Sequence, residues 1–158
     1  MRRTRNKLKL QDGGDPPWTR VEISSSLVQA SAVEEEILDH CRRCSFGEHD
    51  LFAIKLALEE ALVNAVKHGN RMDPAKCVRV QYRITPERAD VTIEDEGPGF
   101  NPGELPNPCA DENLERSHGR GILLMKAYMS SVVFSPSGNK VTLTKFNEDC
   151  GGARVAMG

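Results

Sequence analysis

The hydrophobic positions change period several times along the chain, and each change marks an element. Trp18, Val21 and Ile23 alternate with Arg20 and Glu22, the period-two signature of a half-buried strand over 18–24. Ser24, Ser25 and Ser26 then offer N-cap oxygens, and Leu27, Val28, Val33, Ile37 and Leu38 carry a helix to about Cys44. Gly47 breaks it. From 49 to 68, Leu51, Ile54, Leu58, Leu62 and Ala65 form the buried stripe of the longest predicted helix, with Gly69 as its stop. Alternation returns over 78–85 and 89–95, two strands joined through Pro86-Glu87-Arg88 in a hairpin. Residues 97–118 hold Gly97, Pro98, Gly99, Pro102, Gly103, Pro106 and Pro108, a loop of the length that in compact domains serves as a lid. Helical patterning resumes over 119–129, and 132–134 and 140–146 are strands around the turn Ser137-Gly138-Asn139. Hairpins with interspersed helices predict a two-layer α/β sandwich: a mixed, mostly antiparallel sheet with helices on one face. The expected domain spans 18–146, after a disordered basic leader (1–17) and before a flexible tail (147–158).

Composition narrows the function. At 158 residues and 39% hydrophobic content, the chain fits one domain with a proper core. The net charge of −2 is uneven: Arg2, Arg3, Arg5, Lys7 and Lys9 crowd the first nine residues, which leaves the body acidic. An acidic body argues against a nucleic-acid groove, whose affinity comes from basic phosphate contacts. No apolar run approaches bilayer length and the N-terminus lacks a signal-peptide core, so a soluble cytoplasmic protein is expected. Five scattered cysteines suit reduced thiols, and Cys41-x-x-Cys44 has no second pair to complete a zinc site.

Three segments hold candidate chemistry. On the long helix Glu60 and Asn64 leave the same face, and His68 extends the line. Glu59 points about 100° away, toward Lys55, where an i,i+4 pair is available. An Asn amide oxygen suits Mg²⁺, and a carboxylate one turn away suits a general base. Second, Asp95 ends a strand and meets Glu96-Gly97-Pro98-Gly99-Phe100. There the carboxylate can accept a bond from a purine amine, and Gly97 and Gly99 let a ring or phosphate approach the backbone. Third, Glu115-Arg116-Ser117-His118-Gly119-Arg120-Gly121-Ile122-Leu123 leads glycines into a helix, an anion site in waiting with Arg116 and Arg120 nearby. Taken alone, the first two segments read better as an ordinary polar helix face and an acidic turn, and a lone Gly-x-Gly before a helix is a weak signal; their order and spacing make one pocket.

Glu60-Ala61-Leu62-Val63-Asn64-Ala65-Val66-Lys67-His68-Gly69, Asp95-Glu96-Gly97-Pro98-Gly99-Phe100 and Gly119-Arg120-Gly121-Ile122-Leu123-Leu124-Met125 resemble the successive nucleotide-binding boxes of the GHKL ATPase superfamily. More narrowly, they resemble those of the bacterial anti-sigma-factor serine kinases (RsbW-like), over roughly 19–146. The resemblance implies a Bergerat-type ATP-binding fold and a Mg-ATP-dependent serine/threonine kinase that phosphorylates an anti-anti-sigma antagonist and sequesters a sigma factor or analogous target. It also implies a homodimer through the first strand and helix. Glu60 would be the catalytic base and Asn64 the Mg²⁺ ligand. Asp95 would receive the adenine amine, Gly97 and Gly99 would line the base, and Thr142 would lie near it. Lys67, His68, Ser117, His118, Gly119, Arg120, Gly121, Ile122 and Leu123 would complete the ATP site. Arg116 would be the lid arginine, although His118 stands as an insertion before Gly119. Two other readings compete. A non-catalytic ATP-binding module is opposed by the intact Glu60. A histidine kinase would need an acceptor histidine on a dimerisation helix, and His40 lacks the usual neighbours.

Overall fold

In the computed structural model residues 2–5, 14–99 and 117–150 are described. The elements run β1 (Arg2–Arg5), β2 (Thr19–Ser24), α1 (Leu27–Arg43), α2 (Glu48–Val63), a π-helical segment (Asn64–Gly69), β3 (Cys77–Ile84), β4 (Arg88–Glu94), α3 (Ser117–Tyr128), β5 (Ser131–Phe134) and β6 (Lys140–Phe146). The six strands form one sheet in the order β1-β2-β3-β4-β6-β5. Every pairing among them is antiparallel.

Register explains the layering. One row crosses five strands as Val21, Val80, Ile93, Val141 and Phe134; the next runs Tyr82, Val91, Leu143 and Val132. Side chains alternate faces along a strand, so these rows build one apolar face. Onto it pack Val33, Ile37 and Leu38 of α1, Ile54, Leu58 and Leu62 of α2, and Ile122 and Met125 of α3. The opposite face is charged: Arg79 lies within 3.5–3.7 Å of Glu22, Glu94 and Glu96. The two-layer α/β sandwich is therefore present.

Local chemistry sets the boundaries. Ser26 is the N-cap of α1, and its hydroxyl accepts the Gln29 N–H at 3.3 Å. The β3–β4 hairpin closes through Thr85, whose N–H reaches Arg88 O at 2.9 Å.

Two expectations are corrected. Arg2–Arg5, assigned to a disordered leader, is an edge strand in register with β2 from Arg2↔Glu22 to Arg5↔Thr19. A ladder needs only backbone groups, so an arginine-rich strand gives no hydrophobic signal. The flexible tail expected from 147 begins with a packed segment. Asn147 is buried and its amide donates to Pro86 O at 2.9 Å, while the Glu148 N–H reaches Asp50 Oδ2 at 2.9 Å. Residues 6–13, 100–116 (most of the expected lid) and 151–158 lie outside the described residues.

Candidate functional site

The site forms where the end of α2 meets the end of β4, with α3 alongside. Alternate faces of α2 separate the two glutamates. Glu59 is exposed and faces α1, where burial first and Glu59 second push the Glu34 carboxyl up. Glu60 is half-buried and faces α3. A Cβ built on Gly121 would run into its carboxylate, so the α3 backbone closes directly on it. Burial, then the Glu59 charge, raise the Glu60 pKa above the ordinary glutamate value.

One turn on, the half-buried Asn64 opens the π-helical segment. Its register is set by the Asn70 N–H donating to Ala65 O at 2.9 Å, an i→i−5 bond. The helix is stopped by Arg71 (φ 53°) and Met72 (φ 59°), both left-handed. Gly69, the expected stop, has another role: a Cβ there would meet the Asp95 carboxylate.

Asp95 is thus pressed against the helix wall. Its N–H donates to Asn139 O at 2.9 Å and its carbonyl accepts Asn139 Nδ2 at 3.2 Å. Its Oδ1 accepts the Gly97 N–H at 2.8 Å. Burial raises the carboxyl, and the Gly97 bond opposes that in part. Gly97 backs onto the Gly69 carbonyl, and Gly99 (φ 72°) onto the Ser137 carbonyl; neither place admits a Cβ. A half-buried carboxylate thus stands where the strand end and its glycines close on the end of the helix that carries Glu60 and Asn64.

Residues 23–145 match the histidine kinase-like ATPase domain family. The chain belongs to that family. It is 30% identical over 143 residues to an anti-sigma F factor of Clostridium perfringens strain SM101, covering 87% of this chain and 91% of that one. It is 28% identical over 113 residues to the serine-protein kinase RsbW of Bacillus licheniformis, covering 66% and 69%. The RsbU and RsbW domains of Rv1364c from Mycobacterium tuberculosis share the fold with a TM-score of 0.57 at 17% identity; the match covers 83% of this chain and 32% of that one.

Of the residues expected to form the ATPase-family pocket, the structure sets Gly121 of α3 against Glu60, one turn before Asn64, and sets Gly97 against Asp95 and the Gly69 carbonyl. Lys67, His68 and Arg120 are exposed on the surrounding helices. α3 begins at Ser117, two residues before the expected start. Ser117, His118 and Gly119 therefore lie in its first turn, where backbone N–H groups have no intrahelical acceptor, whereas Gly121 lies past it. Leu123 is exposed, but the Ile122 side chain is in the core, so only its backbone is available to a ligand. Arg116 lies outside the described residues.

Thr142 is taken away from the pocket. It pairs with Thr92, hydroxyl to hydroxyl at 3.3 Å, between Val141 and Leu143. Those neighbours face the helices, so Thr142 faces the opposite side of the sheet. Two residues that fasten the site were missed. Asn139 ties the Asp95 backbone to the β5–β6 turn, and Asn70 joins the two walls. Asn139 was legible only as part of a turn; an Asn following the helix-ending glycine was the one available sign of Asn70.

Among the described residues a single cluster has the donors for a further cation: His49, Asp50 and Glu148, at the far end of α2. The Lys145 ammonium already stands 3.7 Å from Asp50 Oδ1 and 3.3 Å from Glu148 Oε1. That cluster has its cation.

Proposed function

We propose that this chain is a Mg-ATP-dependent serine/threonine protein kinase that acts as an anti-sigma factor, phosphorylating an anti-anti-sigma antagonist in a partner-switching system. The observation that carries the reading is the setting of Glu60: half-buried, its carboxyl raised, closed in by Gly121 and one turn from Asn64. A base poised nearer neutral pH is a better proton acceptor for a serine hydroxyl than a solvated glutamate. The relatives' names, anti-sigma F factor and serine-protein kinase RsbW, support the regulatory role and the acceptor residue.

The residues suit a magnesium nucleotide. Gly97, Gly99 and Gly121 let the backbone close on Gly69, Ser137 and Glu60, where a side chain would collide. Asp95 offers an acceptor for the adenine amine, and Asn64 offers a hard oxygen for the metal. Bound Mg²⁺ would neutralise charge developing on the phosphates. The protein itself then orients the base against Asp95, shields the phosphates beneath α3, and takes the hydroxyl proton at Glu60. A sigma factor, the antagonist and a second copy of the chain are the proposed partners, and the cytoplasm the proposed compartment. No helix among the described residues is long and apolar enough to cross a membrane.

The test is phosphoryl transfer from labelled ATP to a cognate antagonist. Glu60→Ala is expected to lower transfer by about 10²–10⁴-fold, the range for losing a general base, while ATP binding persists. Transfer that survives this change would remove Glu60 as the base. A wild-type protein that binds ATP and its partner without transfer would be a sequestering module.

A further inference from the structure

Asn70 is fully buried, at 0% exposure, and every polar group it has is satisfied. Its N–H donates to Ala65 O at 2.9 Å and its carbonyl accepts the Asp73 N–H at 3.0 Å. The side chain does more than fill space. Oδ1 accepts the Glu96 N–H at 2.8 Å; Nδ2 donates to Cys77 O at 2.9 Å and to Ser25 Oγ at 3.1 Å. The partners fix the amide's orientation, because a backbone N–H can only give and a carbonyl can only accept. The Ser25 hydroxyl in turn donates a hydrogen bond to Lys76 O at 3.0 Å. Glu96 also returns to the start of β3, where Oε2 accepts the Cys77 N–H at 2.8 Å.

These bonds lie at one place in the fold. Asn70 directly follows Gly69, the point where the helix wall touches Asp95. Glu96 directly follows Asp95. One buried amide therefore bridges the residue after the helix wall and the residue after the strand wall. Apart from it, the Asp95 carboxylate is held by the Gly97 N–H, and the Asp95 backbone by Asn139 O and Asn139 Nδ2.

We infer that Asn70 is a positioning residue for adenine recognition: its bond to the Glu96 N–H aims the Asp95 carboxylate at the exocyclic amine, so base specificity depends on it. The inference rests on the nucleotide reading above. It concerns the aim of Asp95 and leaves proton transfer at Glu60 untouched.

The test compares binding of ATP with that of purine riboside triphosphate, which lacks the 6-amine. Wild type is expected to prefer ATP by about tenfold or more, the effect of a hydrogen bond to a charged group. In Asn70→Ala the preference should fall below about threefold, mainly through weaker ATP binding, with purine riboside triphosphate little affected. Ser25→Ala removes another partner of the same amide and keeps the Glu96 bond. It should lower the melting temperature and retain the preference. If the alanine variant does not fold, Asn70→Ser serves, because it keeps one hydrogen-bonding group in the buried place on a side chain too short to hold the Glu96 N–H as the amide does. Discrimination kept by the Asn70 variants, or lost equally in Ser25→Ala, overturns the inference alone. No discrimination in wild type removes the Asp95 assignment, and this inference with it.

Discussion

At Gly121 fold stability and chemistry make opposite demands. A methyl group at this helical position would raise helix propensity by about 1 kcal/mol, yet it would collide with the end of the Glu60 side chain. That end is flexible and can swing away at little cost. Gly121→Ala is therefore expected to leave the thermal midpoint unchanged or slightly higher while transfer falls about tenfold or more, since Glu60, as the proposed base, would lose most of its contribution once displaced. Parallel melting and transfer assays check this; unchanged transfer would mean that Glu60 needs no fixed position. Titration of Glu60 leads to a second outcome. Its carboxyl has a higher pKa in the fold than in the unfolded chain. Below the unfolded value the group is protonated in both states and costs nothing. As pH rises through the raised value the cost appears and stays, so this group lowers stability at neutral pH. Glu60→Gln should melt above wild type at pH 7.5, and the gap should close toward pH 4. A gap constant with pH would show that the gain is packing.

At the scale of elements, α2 does two jobs with two faces. Leu58 and Leu62 are fully buried, and Leu58→Ala should cost about 2–5 kcal/mol in denaturant unfolding. Asn64→Ala should leave stability nearly intact and weaken Mg-ATP binding far more than Mg-free nucleotide binding in calorimetry. Equal loss for both would make Asn64 structural. The apolar stripe and the separation of Glu59 from Glu60 were both legible in the sequence, because helix periodicity alone decides which side each residue faces. So were the β3–β4 hairpin and the Ser26 cap. The π-helical segment was not: Ala65 and Val66 suit an α-helix as well as a π-helix, and only the Asn70-to-Ala65 bond tells them apart. Thr142 failed on parity. Val141 and Leu143 already claim the helix-facing side of β6, which sends the residue between them to the other side. β1 had no apolar positions to read, and Asn70 needed a fold to give it partners.

The whole molecule is held at the end remote from the pocket by a buried charge. Lys145 donates to Tyr128 O at 3.1 Å, at the last residue of α3, and lies near Asp50 of α2 and Glu148 beyond β6. The Lys145 and Asp50 side chains are only 6% and 3% exposed. Removing one partner strands the other charge, so Lys145→Met should destabilise the protein by about 3–5 kcal/mol in urea unfolding. A loss under about 1 kcal/mol, as for an exposed pair, would show that water reaches the cluster.

The π-helical segment has a consequence for evolution by insertion and deletion. Each residue of an α-helix advances about 100° around the axis, and a π turn takes up one residue more than an α turn. Residues 64–69 thus act as a buffer for length: the surplus residue is taken up within the turn, and Gly69 and Asn70 follow at the strand wall where a regular helix would bring them one residue sooner. Deleting a single residue inside this segment should restore a regular α-helix and keep both flanks in phase, whereas the same deletion earlier in α2 would turn every later side chain by about 100°.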